Sequence, residues 1–222
     1  MSLATMNDLL VTGLRDIYSA EQQLLKALPK MASSASSASL AEALSSHIAQ
    51  TEEHVTRLEG IFEDLGGNPR GKRCAGMRGL IAESEEVIGE NGDPSVIDAA
   101  LIAAAQRMEH YGIAAYGSAR TFAALLGRTD IAAVLRQSLL EEEAADVRLT
   151  QIALREVNDR ARAASADSDE ESAAGADALD DTPVATASRY EEEIDEALMD
   201  LEDAMDEEVI DEEEDRVRNR RL

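Results

Sequence analysis

The fold class is decided by the stretch between Asn7 and Met31, which reads NDLLVTGLRDIYSAEQQLLKALPKM. Its apolar positions recur at alternating steps of four and three residues and form one helix face with a single acidic member: Leu10, Leu14, Ile17, Glu21, Leu24, Leu28 and Met31. This spacing is typical of the seam by which one helix packs into a bundle. We therefore predict a long helix that bends or ends near Pro29, because proline lacks the amide hydrogen of the helix ladder.

Three further segments predict long helices of the same kind. The second helix follows a Ser/Ala connector at 32–39 that can supply its N-cap. It runs from about residue 40 to 65, where the sequence GGNP at 66–69 stops it. The third begins with Asp93 as its N-cap and Pro94 at the first helical position, and it reaches about residue 126. The fourth is capped by Thr129 and reaches about residue 158.

The lengths of the connections predict the topology. The first and third connections are short, whereas the second, between residues 65 and 93, is long enough to hold a shorter helix near 75–88. This pattern favours an all-α, ferritin-like four-helix bundle in residues 1–158, with one long crossover between two hairpins. The alternative is an up-down bundle that carries an inserted helix.

The remaining residues, 159–222, form a predicted acidic tail. Residues 161–222 hold 23 of the 46 acidic residues but only 6 of the 21 basic ones. We expect this tail to be largely disordered, with an amphipathic helix at about 188–210 and a protein partner for its acidic surface. A salt-adapted host would also explain the acidity.

Composition and charge narrow the classes of function. The net charge of -25 argues against direct binding of nucleic acid, because it repels the phosphate backbone. No apolar run approaches the length of a membrane span, and residues 1–13 lack the basic start of a secretory signal. A single cysteine, Cys74, excludes an intramolecular disulfide and fits a cytoplasmic protein.

Ionisable side chains interrupt the apolar seams and indicate a site inside the bundle. Buried charges cost desolvation energy unless they are paired or bind a cation. Every predicted bundle helix carries such residues: Glu21, His47 with His54, Glu109, and Glu142 with Asp146. Carboxylate and imidazole ligands suit iron, manganese or zinc, so these residues are candidate metal ligands. Each has a simpler interpretation, as a core histidine paired with a carboxylate or an acidic side chain with its head in solvent.

The chain resembles the YciE/YciF family of ferritin-like proteins, which are often labelled stress-related. Five stretches carry the resemblance, and together they span most of residues 5–158: DIYSAEQQLLKALPKMA at 16–32, HIAQTEEHVTRLEGIF at 47–62, CAGMRGLIAESEEVI at 74–88, DAALIAAAQRMEHYGIAAYGS at 98–118 and LLEEEAADVRLTQIA at 139–153.

The resemblance implies a rubrerythrin-type bundle, usually dimeric, with a di-metal centre. Four carboxylates match the family's acidic positions and His47 matches a histidine; the carboxylates are Glu21, Glu109, Glu142 and Asp146. Gln50 stands where relatives can carry glutamate, so we include it among the candidate ligands.

Two functional hypotheses follow. The first is a protein that binds iron or manganese, or zinc, as a di-metal centre and acts in stress, peroxide or iron handling as a cytoplasmic homodimer. The second is a non-catalytic structural or interaction protein whose inward polar residues form salt bridges. Storage of iron in a cage is a weaker third hypothesis, because nothing in the sequence indicates assembly of many subunits. No catalytic residue or substrate pocket can be identified from the sequence.

Overall fold

The computed structural model describes the backbone of residues 3–172 and the side chains of residues 3–165, and its regular structure in this part is entirely helical. The helices are α1 (Met6–Ser34), α2 (Ala38–Asp64), α3 (Ala75–Gly89), α4 (Pro94–Leu125), α5 (Thr129–Ile152) and α6 (Asn158–Ser172), with a π-helical turn at Ala153–Val157 between α5 and α6. The predicted all-α class and the crossover helix are confirmed.

The packing of the helices establishes a ferritin-like topology. Helix α1 packs against α2 and α4 against α5, while α1 also packs against α4 and α2 against α5. Asp98, near the start of α4, binds Ser36 and Ser37 between α1 and α2, so α4 begins where α1 ends. Helix α3 lies against α1 and α4 and returns the chain along the bundle. The up-down alternative is wrong, because it would make α2 and α4 neighbours.

Several predicted helix ends are confirmed. Ser37 caps α2 by accepting the amide of Leu40 at 3.2 Å, and Asp93 caps α4 with Pro94 in its first turn. Gly66 (φ 62°) follows α2 and Gly127 (φ 73°) follows α4, in the left-handed conformation that glycine adopts without strain.

Other local predictions are wrong. Helix α1 does not end near Pro29 but continues to Ser34, because Met31 is fully buried and holds the last turn in the core; a bend at Pro29 remains a prediction. Arg128 rather than Thr129 takes the N-cap position of α5, without a side-chain hydrogen bond. The fourth bundle helix does not end near residue 158 but continues as α6 to Ser172, since neither glycine nor proline interrupts residues 129–172.

The predicted division at residue 158 remains a prediction, and the predicted tail helix at 188–210 lies outside the described residues. Among the helices that are described, none is both long and apolar enough to cross a membrane. Cys74 is buried with a free thiol, and it lies 2.9 Å from the hydroxyl of Tyr111.

Two apolar clusters fill the bundle and leave a polar layer between them. One cluster contains Leu24 and Leu44, together with residues of α3, α4 and α5. The other contains Leu14 and Leu58, with residues of α4 and α5. Glu21 lies between Ile17 and Leu24 on α1 and is itself buried. The four seams therefore place their charged residues at one level, closed above and below by apolar side chains.

Candidate metal centre

Four helices supply the buried polar layer. Glu21 comes from α1, His47 and His54 from α2, Glu109 from α4 and Glu142 from α5, and none is more than 4% exposed. On α2 the two histidines are seven residues apart, which is two helical turns, so they lie on the same face with Thr51 between them. The hydroxyl of Thr51 donates to the His47 carbonyl at 2.9 Å, which keeps this small polar side chain satisfied.

The layer contains two groups of three side chains that share one carboxylate. Glu21, His54 and Glu142 form the first, hereafter the inner triad, and His47, Glu109 and Glu142 form the second, hereafter the outer triad. Within each triad the facing ligand atoms lie within 4.8 Å of one another. Glu142 belongs to both, and we therefore expect it to bridge them.

The individual distances distinguish the two oxygens of Glu142. Its Oε1 lies 3.5 Å from His54 Nδ1 in the inner triad, and its Oε2 lies 3.6 Å from His47 Nε2 in the outer triad. His54 Nδ1 is also 3.5 Å from Glu21 Oε1, and His47 Nε2 is 3.2 Å from Glu109 Oε2. Each carboxylate oxygen of Glu142 thus faces a different histidine.

Five of these buried atoms have no hydrogen-bond partner among the residues that the structure describes. They are Glu21 Oε2, His47 Nε2, His54 Nδ1, Glu109 Oε2 and Glu142 Oε2. A buried polar atom without a partner costs roughly 1–3 kcal/mol, and more when it is charged. Most buried polar atoms in folded proteins are satisfied, so five unsatisfied atoms that converge on one volume require an explanation.

The hydrogen bond of His47 with the side-chain amide of Gln50 determines which ring nitrogen of His47 faces the outer triad without a proton. His47 Nδ1 donates to the side-chain oxygen of Gln50 at 3.2 Å, which leaves Nε2 to accept a cation in the outer triad. Metal-bound histidines are commonly oriented by such a bond at their other nitrogen. Gln50 therefore lies beside His47 as its hydrogen-bond partner, outside both triads.

His54 is held by a stronger partner. Its Nε2 donates to Glu141 at 2.7 Å, and Arg57 binds both oxygens of Glu141 at 2.6 and 2.8 Å. Burial lowers the pKa of His54, but Glu141, Glu21 and Glu142 outweigh it and raise that pKa to about 10. Burial likewise raises the pKa of Glu141, while His54 and Arg57 outweigh it and lower that pKa to about 2. At neutral pH His54 therefore carries a proton on Nδ1, and a cation that binds to Nδ1 must displace that proton.

The carboxylates of the layer repel one another. Burial raises the pKa of Glu109 to about 7; the contact with Glu142 opposes this effect, and the charges of Glu21 and Asp146 add to it. Burial, with the charges of Glu109 and Glu21, raises the pKa of Glu142 well above its usual range. Both shifts arise mainly from burial, and the negative charges of neighbouring carboxylates add to them.

Two residues that the sequence did not single out as functional position the carboxylates. The hydroxyl of Tyr116, fully buried, donates to Glu21 Oε1 at 2.7 Å and so fixes the carboxylate whose Oε1 also faces His54. Gly112 lets Glu142 pack against the backbone of α4, because a β-carbon there would lie 2.8 Å from Glu142 Oε1. A side chain at residue 112 would therefore displace the carboxylate of Glu142.

The structure brings together five of the seven candidate ligands and separates two. Glu21, His47, His54, Glu109 and Glu142 form the triads. Gln50 lies next to them, and Asp146 instead accepts from Gln106 Nε2 at 3.0 Å and lies 3.5 Å from His110 Nε2. Glu141 stood in a run of three glutamates, where periodicity did not tell which members face inward; both Glu141 and Glu142 are buried.

The residues present fit a pair of divalent cations. Two ligand atoms bound to one metal through bonds of ~2.1 Å lie roughly 3.0–3.4 Å apart, close to the 3.2–3.6 Å found here. Three carboxylates and two imidazole nitrogens are hard or borderline ligands, which suit iron, manganese or zinc.

Fold and site together define the class: a ferritin-like helical bundle with a histidine and carboxylate layer at its centre. The family model described as "Domain of unknown function (DUF892)" matches residues 5–162, and the chain belongs to this family.

Individual relatives agree with this assignment. Protein YciF of Escherichia coli (strain K12) is 42% identical over 163 residues, which is 72% of this chain and 98% of the relative. The crystal structure of the E. coli stress protein YciF aligns with a TM-score of 0.68 at 40% identity, covering 70% of this chain and 99% of that one. The structure of YcfI from Rhodopseudomonas palustris aligns with a TM-score of 0.67 at 46% identity, covering 68% and 97%.

Proposed function

We propose that this protein binds two divalent metal ions, iron or manganese, in the inner and outer triads, and that it acts in the cellular handling of peroxide or iron under stress. The observation that carries the proposal is the convergence of five buried ligand atoms without hydrogen bonds. Two divalent cations would satisfy these atoms and offset the three carboxylates that now repel one another. Zinc suits the same ligands, but it would supply no redox chemistry.

The chain's own residues would hold and orient the two ions. A pair of redox-active metals, when bound, supplies Lewis acidity and electrons for reactions of peroxide or oxygen. Glu142 bridges the two positions, while Gln50 and Glu141 fix the histidine tautomers. The apolar clusters above and below exclude water from those two sides of the layer, which strengthens its electrostatic contacts.

The likeness to a stress protein supports the proposed setting in stress. The family resemblance supports a cytoplasmic homodimer. Sedimentation of the purified protein would test whether it is a dimer. A protein partner for the acidic tail also belongs to this proposal.

A structural or interaction role is the second candidate. The bidentate ion pair of Arg57 with Glu141, extended to His54, shows that part of the layer is paired without any metal. A structural role has been suggested for the Rhodopseudomonas relative. This candidate leaves the five unpartnered atoms without a function.

The substitution Glu21→Gln separates the two candidates. It keeps an acceptor for Tyr116 but removes one negative charge from the inner triad. If the layer binds metal, Mn(II) should raise the melting temperature of the wild-type protein, because only the folded state holds the site. Glu21→Gln should lose more than half of that rise, while the metal-free stability changes by less than about 1 kcal/mol.

Glu52→Gln provides the matched control, because Glu52 is an exposed residue of α2 beside Thr51. It should keep the full metal-induced rise. The structural role would lead instead if Mn(II) and Fe(II) never shift the wild-type melting temperature and Glu21→Gln weakens the metal-free protein by about 3 kcal/mol or more.

A further inference from the structure

A pocket of about 140 Å³ opens between α2 and α5 and reaches one side of the polar layer. His47 and Glu109 of the outer triad line it, together with Gln50. Ser46 and Arg148, both exposed, also line it and mark its mouth. Neither Glu21 nor His54 of the inner triad takes part in this lining.

The inner triad is covered by side chains that already have partners. Tyr116 lies over Glu21, and its ring is 5.6 Å from that of His54. On its other side His54 is bonded to Glu141, which Arg57 holds by two bonds. His54 and Tyr116 are both 0% exposed. Any exchange at the inner triad therefore needs several bonds to open.

The walls of the pocket limit what can enter. Ala43, Ala144 and Ala145 line it with small apolar side chains. A water molecule takes up about 30 Å³ of liquid, so the pocket admits roughly four or five of them. Drug-sized ligands need roughly 300 Å³ or more. The pocket thus accepts molecules of at most about four or five heavy atoms, and the guanidinium of Arg148 at the mouth favours small anions.

From these observations we infer that the two halves of the centre are unequal: the outer triad is the open half, which exchanges its metal and receives small oxygen species such as peroxide through this pocket, and the inner triad is a closed half that retains its metal. This inference rests on the proposed function, because it assigns different tasks to the two positions of the same metal centre. It also gives Gln50 a second task, as a wall of the entrance beside the histidine that it orients.

Cobalt(II) serves as the probe, because its visible absorption reports each bound ion. The full chain loaded with two equivalents and mixed with excess EDTA should release one equivalent at least ten times faster than the other. Glu109→Gln should lose the fast equivalent and Glu21→Gln the slow one. Azide should perturb the absorption of the fast equivalent alone.

Filling the pocket provides the decisive comparison. Ala145→Leu should slow the fast release and weaken azide binding, each at least ten-fold, and leave the slow release unchanged. Ala144→Leu, on the same wall, should act in the same direction if Ala145→Leu fails to fold. Ala133→Leu, the same change at an exposed site of α5, should alter neither rate.

Equal release of both equivalents, or survival of the fast equivalent in Glu109→Gln, would overturn the inference while leaving the metal centre intact. Binding of only one equivalent would overturn it as well. Failure of the wild-type chain to bind any cobalt would overturn the proposed function itself, and this assignment with it.

Discussion

Glu142 is the residue on which both triads depend, and its position depends on Gly112. The carboxylate packs against α4 so closely that a β-carbon at residue 112 would lie 3.0 Å from its carboxyl carbon. Leu139, one turn earlier on α5, belongs to an apolar cluster, which fixes the helix from which Glu142 extends. The small size of residue 112 therefore affects the position of the Glu142 carboxylate more than the stability of the bundle.

Gly112→Ala is therefore expected to move Glu142 and to weaken metal binding about ten-fold or more. The gain of roughly 1 kcal/mol in helix propensity offsets part of the cost of the displacement, so the metal-free protein should still fold. Gly117→Ala, on the same helix with open space around the added carbon, should leave metal affinity unchanged. Isothermal titration with Mn(II) measures both, and equal affinities in the two variants would contradict the positioning role of Gly112.

Proton binding in the layer predicts how stability depends on pH. The pKa of Glu109 is about 7 in the folded protein against an ordinary value of 4.5. Its contribution to the free energy of unfolding is therefore complete below pH 4.5 and is lost as pH rises through 7. His54 has a folded pKa of about 10 against 6.5, so its contribution is complete below 6.5 and is lost as pH rises through 10. The metal-free protein is therefore expected to lose stability between pH 5 and 9.

Metal binding should counter this loss, because a cation replaces the protons of Glu109 and His54. Melting curves at pH 5.5, 7 and 8.5, with EDTA or with Mn(II), should show a metal-induced rise that grows with pH. A rise that is the same at all three pH values would mean that these groups do not bind the ion.

At the scale of the helices, the ends of α1, α2 and α4 are joined by one buried carboxylate. Asp98 accepts the amide of Ser36 at 2.8 Å, the hydroxyl of Ser36 at 2.5 Å and the amide of Ser37 at 2.7 Å. Ser37 in turn donates its hydroxyl to Glu156 in the π-helical turn, at 2.9 Å. This network fixes the register of the two hairpins, and with it the level at which their ligands meet.

Asp98→Ala should destabilise the protein by roughly 2–3 kcal/mol, because it leaves the buried amide of Ser37 without a partner and removes two further bonds to a charged acceptor. Asp93→Ala removes an exposed N-cap of the same helix and should cost only about 1 kcal/mol. Urea unfolding of the metal-free variants gives both values. Similar losses in the two variants would show that Asp98 acts as an ordinary cap.

Periodicity predicted the helices well and their irregular parts poorly. Interactions between residues close in the sequence determine the seam from Leu10 to Met31 and the caps at Ser37 and Asp93. Such interactions can be predicted from the sequence alone. The passage of α1 through Pro29 depends on the burial of Met31 by other helices, which is not local. Glu141 and Glu142 are adjacent, and only the positions of Arg57 and His54 on α2 explain why both are buried.

Over the whole molecule, the crossover places α2 and α4 on a diagonal and brings α1, α2, α4 and α5 around one polar layer. The sequence predicted this layer from six residues that interrupt apolar seams, and five of them form it. It did not predict the separation of Asp146, because one helical turn beyond Glu142 the side chain meets Gln106 and His110 instead of the centre. It also gave no sign of the pocket, which depends on the distance between α2 and α5.

Anomalous X-ray diffraction from crystals grown with Mn(II) tests the central claim most directly. We expect two manganese peaks inside the bundle, one bound by Glu21, His54 and Glu142 and the other by His47, Glu109 and Glu142. Wild-type crystals with no peak in this layer, or with manganese bound only to surface carboxylates, would contradict the metal centre and favour a structural role for the buried ion pairs.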